Sequence, residues 1–386
     1  MTRQSLTNRA REAGTAPGRA DEAQREDASA RRAWVEVDLD ALKRNALAIG
    51  RRASVPLLPM VKADAYGLGA RAAVGALESV GPWGYGVATV DEGADLREAG
   101  VTRPVLVFTP LLPSDFAAAR ATRLTPVLGD PAAIAAWTGA GDAPWHLGVD
   151  TGMSRAGARW DEVAALRDLV SAWPPAGVCT HFHSAQLADD SRDEQERRFD
   201  EAIRALDLGE GVLRHAENSA AVETRSPSRL SFARPGIFLY GVACAAGALR
   251  TEPVVAVRAR VVELRDLHAG EGVSYDATWR ANGPRRVATL AIGYADGYRR
   301  ALSNRGVVLI AGRRAPVLGR VTMDMTMVDV TDIPCTVGDV ATLIGRDGDA
   351  LLEVADVARA GELSPYELLT GLRSRLERRY VGGAGA

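Results

Sequence analysis

The chain has 386 residues, enough for a large barrel and a smaller second domain. It is 47% hydrophobic and 25% charged, the profile of a soluble globular protein. A formal net charge of -2 excludes bulk attraction to nucleic acid or membrane, and no apolar run reaches the roughly 18 residues of a membrane span. Three scattered cysteines, Cys179, Cys244 and Cys335, give neither a zinc spacing nor a disulfide framework, and they fit a reducing cytoplasm.

Residues 1–33 are rich in Arg, Glu, Asp, Ala and Ser, with no large apolar residue between Leu6 and Trp34. They read as a disordered extension, since so little apolar surface cannot offset ordering entropy. From Trp34, "WVEVDLDALKRNALAIGRRA" reads as a short strand and then a helix, with Leu39, Leu42, Ala46 and Ile49 on one face. Eight strand-like runs follow: VPLLPMV, GYGVATV, PVLVFT, LTPVLG, WHLGVD, GVCTHFH, VLRHAENS and FARPGIFLY. Helical patterns such as "ARAAVGALESV", "WDEVAALRDLVSA" and "DEQERRFDEAIRALD" lie between them. The alternation predicts an α/β fold with a (β/α)8 barrel over residues 34–250. An open doubly wound sheet is the second reading, weakened because no GxGxxG follows the first strand. Past residue 250, strands joined by Gly-rich turns predict an all-β domain over 251–386, closed by a helical piece, "SPYELLTGLRSRLERRY".

A barrel of this type builds its site at the C-terminal ends of its strands. Those ends carry Lys62, the Asp150–Arg155 run, Thr180 to His183, Asn218 with Ser219, and Arg234 to Ile237. Lys62 is conspicuous because the chain holds only two lysines, Lys43 and Lys62, among 47 basic residues. Following "VPLLPMV", its amine would be desolvated and nucleophilic, a state arginine cannot reach. A lysine merely snorkelling at a strand end is the plainer alternative. Ser219 and the Gly236–Ile237 turn offer backbone N–H groups of the kind that bind phosphate, although "NSA" also reads as an ordinary helix cap. Amine and phosphate corner together point to a pyridoxal phosphate (PLP) enzyme. "HFH" at 181–183 would place both imidazoles on one side of a strand, with His215 as the only other strand-end candidate for a third metal ligand. A satisfied histidine within a polar network is the plainer reading, and no metal is assigned.

The stretches "VKADAYG", "DTGMSRAG", "THF", "ENSA", "RPGI", "GVSYDATWR", "AIGYADGY" and "GRVTMDM" resemble the alanine racemases, PLP-dependent enzymes of fold type III, from about Trp34 to Tyr380. The resemblance implies that Lys62 holds PLP as a Schiff base and serves one face of the substrate. It implies that Tyr275 serves the other face from the second subunit of a homodimer with shared active sites. Arg155 would approach the substrate carboxylate, and His181 would pack near the cofactor ring. Arg234 would face the pyridine nitrogen. Tyr66, Asn218, Ser219, Gly236, Ile237 and Tyr366 would hold the cofactor, most of them at its phosphate. Met323 would line the partner's substrate pocket, with Asp324 and Tyr294 in support. The implied activity is interconversion of L- and D-alanine in the cytoplasm, without nucleic acid or membrane. A broader amino-acid racemase, a related decarboxylase, or a PLP-carrying barrel without turnover are the alternatives.

Three positions depart from the family pattern. Gly148 stands where the family has a lysine, often carbamylated, that orients the arginine matched by Arg155. Leu68 replaces a histidine, and Thr322 a cysteine. Arg155 is therefore expected to be held by another group or by an anion such as chloride.

Overall fold

The computed structural model describes residues 32–225, 227–245 and 249–383. Most of the extension expected at 1–33 lies outside them; Arg32 is described, and Ala33 already begins a strand. The strands Tyr85–Val87, Val105–Val107, Thr125–Leu128, His146–Asp150, Gly177–Cys179 and Leu213–His215 pair in parallel in that order. All but the last are buried along almost their whole length, as strands covered by helices must be.

The expected first and eighth strands close the ring without regular ladders. Leu57 bridges Ala233 and Met60 bridges Gly86, both in parallel. Pro56, Pro59 and Pro235 lack the N–H that a ladder requires, so pairing is reduced to single bridges. Bonds from Leu58 N to Ala233 O at 2.7 Å and from Val61 N to Gly86 O at 2.9 Å complete the closure. The run FARPGIFLY continues as a 3-10 turn, Ile237–Tyr240.

The strand Ala33–Asp38 does not enter the ring. It pairs antiparallel with the long strand Val255–Leu267 and parallel with Glu377–Val381. Val255–Leu267 also pairs with Arg285–Leu290 and Val340–Asp347, forming the mostly antiparallel sheet of the later segment. The closing piece read as helical is helical only at Pro365–Thr370. Beyond Gly371 the chain turns extended, and its last strand covers one edge of Ala33–Asp38 that would otherwise expose unpaired backbone groups.

Candidate functional site

Lys62 stands at the end of the first, irregular barrel position. The next four residues, Ala63, Asp64, Ala65 and Tyr66, all have φ between 51° and 59°, a left-handed turn without glycine. Such a conformation costs about 1–2 kcal/mol per residue and persists only where surroundings hold it. Here Glu92 accepts from Ala63 N at 2.7 Å, and Asp64 accepts from Ala70 N at 2.7 Å through its side chain. The Arg378 guanidinium donates twice to Gly67 O, at 3.1 and 2.9 Å. Burial lowers the Lys62 pKa, and Arg155 and Arg234 add to the effect against the opposing pull of Glu92. The amine is therefore closer to its neutral, nucleophilic form.

Arg234 is buried beneath the rim. Its Nη2 donates to Thr180 O at 2.8 Å and Ala216 O at 3.0 Å, and its Nη1 lies 2.7 Å from His215 Nδ1. His215 Nε2 in turn lies 2.8 Å from His146 Nδ1. His181 Nδ1 is 3.4 Å from Arg234 Nη2. Burial, then Arg234, Arg155 and Lys62, push the His181 pKa down to about 3, so the ring is neutral.

A second corner gathers Ser219, Gly236, Ile237 and two tyrosines. Ser219 Oγ accepts from Gly236 N at 2.9 Å and Phe238 N at 3.4 Å. Asn218 caps the helix Ser219–Thr224 by accepting from Ala221 N at 3.0 Å, and it donates to Phe182 O at 3.3 Å. Tyr66 packs against Tyr240 and Tyr366, with ring centroids 4.6 and 5.9 Å apart. A Cβ at Gly236 would come within 2.1 Å of Tyr66 Oη, so only glycine leaves this cradle open. Donors, small residues and a nearby amine fit a phosphorylated aldehyde cofactor.

Between these groups lies a cavity of about 310 Å³ bordered by Lys62, Gly148, Arg155, His181 and Arg234. Its one carboxylate, Asp150, already accepts from Gly152 N at 2.9 Å and Ser154 N at 3.0 Å. Arg155 has no hydrogen-bond or ion-pair partner among the described residues. The chamber is therefore lined by cations and suits anions. A Cβ at Gly148 would sit 3.1 Å from Val127 Cγ1, tight but not closed. Leu68 is buried, and Thr322 Oγ1 is committed to the Met325 backbone at 2.9 and 3.1 Å.

The later segment presents Tyr275, Tyr294 and Met323 outward, with Tyr275 71% and Met323 53% exposed. None of them borders the cavity within the chain. Two main-chain bonds zip their turns together, Tyr294 N to Thr322 O and Ala295 N to Met323 O, both 3.0 Å. Arg375 clips the same turns, with Asp324 at 2.8 Å and the buried Asp296 at 3.3 Å.

The structure corrects the expected alternation of His181 and His183. Both lie beyond the strand Gly177–Cys179, so strand geometry does not align them. His181 faces Arg234, whereas His183 is exposed and bonded to Ser184 Oγ at 2.7 Å. Sequence reasoning missed Glu92, His146 and Arg378. The Thr89-x-x-Glu92 capping box was visible as a pattern, but the second oxygen of Glu92 reaching Ala63 was not.

Fold and site together define a class: a barrel protein whose later segment is mostly sheet, with helices at Val354–Ala360 and Pro365–Thr370 where an all-β domain is expected, built to hold an anionic cofactor against a desolvated amine. The description "Alanine racemase, N-terminal domain" matches residues 37–244, and "Alanine racemase, C-terminal domain" matches 254–380. The chain belongs to the alanine racemase family. It is 42% identical over 359 residues to the alanine racemase of Deinococcus radiodurans, spanning 90% of this chain and 99% of that protein. The structure resembles the alanine racemase of Bacillus anthracis with bound L-Ala-P, at a TM-score of 0.83 and 31% identity over 92% of this chain and 96% of that one. It also resembles the Bartonella henselae alanine racemase with covalently bound pyridoxal phosphate, at a TM-score of 0.84 and 27% identity, covering 91% and 100% of the two chains.

Proposed function

We propose that this chain is a PLP-dependent alanine racemase that interconverts L- and D-alanine by using one proton-carrying group on each face of the substrate. The observation that carries this reading is the desolvated Lys62 amine, set on a strained turn at the rim of a cation-lined cavity. Lys62 would hold the cofactor through Nζ. Tyr66, Ser219, Gly236, Ile237 and Tyr366 would hold its phosphate, with Asn218 bracing the Ser219 helix and Arg234 facing the ring. When bound, the cofactor supplies an electron sink for the charge left at Cα.

The rest is done by the chain's own groups. Arg155, which has no hydrogen-bond or ion-pair partner among the described residues, would bind the substrate carboxylate. Lys62 Nζ, freed when the substrate amine takes its place, would take or return the Cα proton on one face. Tyr275 Oη does so on the other, supplied by a second copy, because within one chain Tyr275 stands exposed and away from the cavity. Met323 would enter the partner's pocket with it, on turns braced by Asp324 and near Tyr294. His181, held neutral, accepts a hydrogen bond rather than donating a second charge. Arg234 keeps its own proton, which suits a ring nitrogen left unprotonated and a sink weak enough to limit side reactions.

The working unit is a homodimer. The ring of strands from Tyr85–Val87 to Leu213–His215 would hold the cofactor, and the sheet built on Val255–Leu267, which also takes in Ala33–Asp38, would be offered to the partner. The free thiols Cys179, Cys244 and Cys335 fit a reducing cytoplasm, and no helix among the described residues is long and apolar enough to cross a membrane.

Incubating the holoenzyme with L-alanine in deuterated water tests the activity. Loss of optical rotation with deuterium at Cα is expected. Release of carbon dioxide would instead mark a decarboxylase, and bound PLP with no exchange would mark a carrier.

A further inference from the structure

Gln195 lies on the helix Ser191–Leu206, outside every motif that carries the family resemblance, and it is 1% exposed. Helical spacing turns it inward with Arg192, Phe199 and Ala202. Its amide spends all three of its contacts on the site's loops. Nε2 donates to Thr151 Oγ1 and to His181 O, both at 3.1 Å, and Oε1 accepts from His183 N at 3.1 Å. The two backbone partners fix which end is which, because a carbonyl only accepts and an N–H only donates. Thr151 Oγ1 lies a further 2.7 Å from Thr180 Oγ1, and Thr180 O accepts from Arg234.

We infer that Gln195 is a positioning residue that locks the loop bearing Arg155 to the segment bearing His181. Thr151 opens the loop that ends at Arg155, and Asp150 caps its first turn. Arg155 has no other tether among the described residues, so its placement depends on that loop. His181 and His183 are held at their backbones, which sets the imidazole of His181 against Arg234. No other side chain of this size serves. A carboxylate cannot donate to His181 O, and a cation cannot accept from His183 N–H.

The inference rests on the racemase reading for its kinetic consequence but not for its structural one. The test therefore uses two readouts on full-length holoenzyme labelled with 15N-histidine. The chain has five histidines, so the His183 amide is resolvable. In Gln195→Met, exchange of the His183 amide should rise about 10-fold, the value of one lost hydrogen bond. Its kcat/KM for alanine should fall about 100-fold, mostly through KM, since the carboxylate-binding Arg155 is misplaced. Gln195→Glu keeps the acceptor, so the His183 amide should stay protected while kcat/KM still falls; this variant decides the matter if the methionine variant does not fold. Unchanged His183 exchange in Gln195→Met, or kcat/KM near wild type in both variants, overturns the inference. If the unmodified chain racemises no alanine, the functional reading fails, and His183 exchange alone decides the clamp.

Discussion

Arg234 Nη1 lies 2.7 Å from His215 Nδ1, and this contact fixes the protonation of two buried imidazoles. An arginine can only donate, so His215 Nδ1 must be the bare nitrogen. The proton then sits on Nε2 and points at His146 Nδ1, 2.8 Å away. Both rings are neutral, each is an acceptor on one side, and the cation of Arg234 is passed no further charge.

This arrangement predicts a pH dependence. Burial, then Arg234, lowers the His146 pKa from the ordinary 6.5 to about 4, and His181 falls to about 3. Below pH 6.5 the unfolded chain takes up protons that the folded chain refuses. Stability is therefore full above 6.5 and declines as pH falls, by about 1.4 kcal/mol per pH unit for each such histidine. The loss from His146 ends near pH 4. Nitrogen NMR of the imidazoles should show His146, His181 and His215 uncharged at pH 5, each with one N–H. A charged His146 at that pH would refute the assignment.

The cradle at Gly236 predicts a steric cost. Its φ is -122°, which any residue adopts, so the penalty of Gly236→Ala is contact and not backbone strain. The new methyl would meet Tyr66 Oη. Overpacking of this kind costs about 1–3 kcal/mol, or roughly 5- to 150-fold weaker cofactor binding. Equilibrium titration with PLP reads this directly, and wild-type affinity would remove Gly236 from the cradle.

Gly148 predicts independence from bicarbonate. With no lysine at this position, no carbamate can form to hold Arg155, and the chamber offers no unengaged carboxylate in its place. Another group or an anion such as chloride is expected to fill that role. Activity measured at fixed pH should not change when bicarbonate is added or stripped. A clear bicarbonate response would contradict the account.

A shared site predicts complementation. Lys62→Ala should lose the cofactor's bound absorbance and all activity. Mixed with an equal amount of Tyr275→Phe chains, it should form heterodimers with one intact site each. Random exchange would restore about a quarter of wild-type activity, since half the dimers are mixed and each has one working site. No recovery after demonstrated subunit exchange would argue for sites built within one chain.

Much of the barrel and the position of Lys62 are legible in the sequence. The barrel rhythm was readable because covered parallel strands are short apolar runs with helical patterns between them. Lys62 stood out because arginine had replaced nearly every other cation. The missed parts share a cause. The strand Glu377–Val381 was read as helix because "ERRYV" has no local signal stronger than its neighbours; pairing with Ala33–Asp38, more than 300 residues away in the chain, decides it. His183 was read as a strand neighbour of His181 because the strand's end at Cys179 was not visible. Glu92, His146, Gln195 and Arg378 act through contacts that join separate segments of the fold, and no periodicity announces such contacts.

The central claim is that two groups on opposite faces, Lys62 and Tyr275, share the proton transfers. The most direct measurement is Tyr275→Phe holoenzyme incubated separately with L- and D-alanine in deuterated water. The account predicts retained cofactor absorbance, Cα exchange from one enantiomer only, and no change of one enantiomer into the other. Full racemisation from both enantiomers by Tyr275→Phe would contradict it.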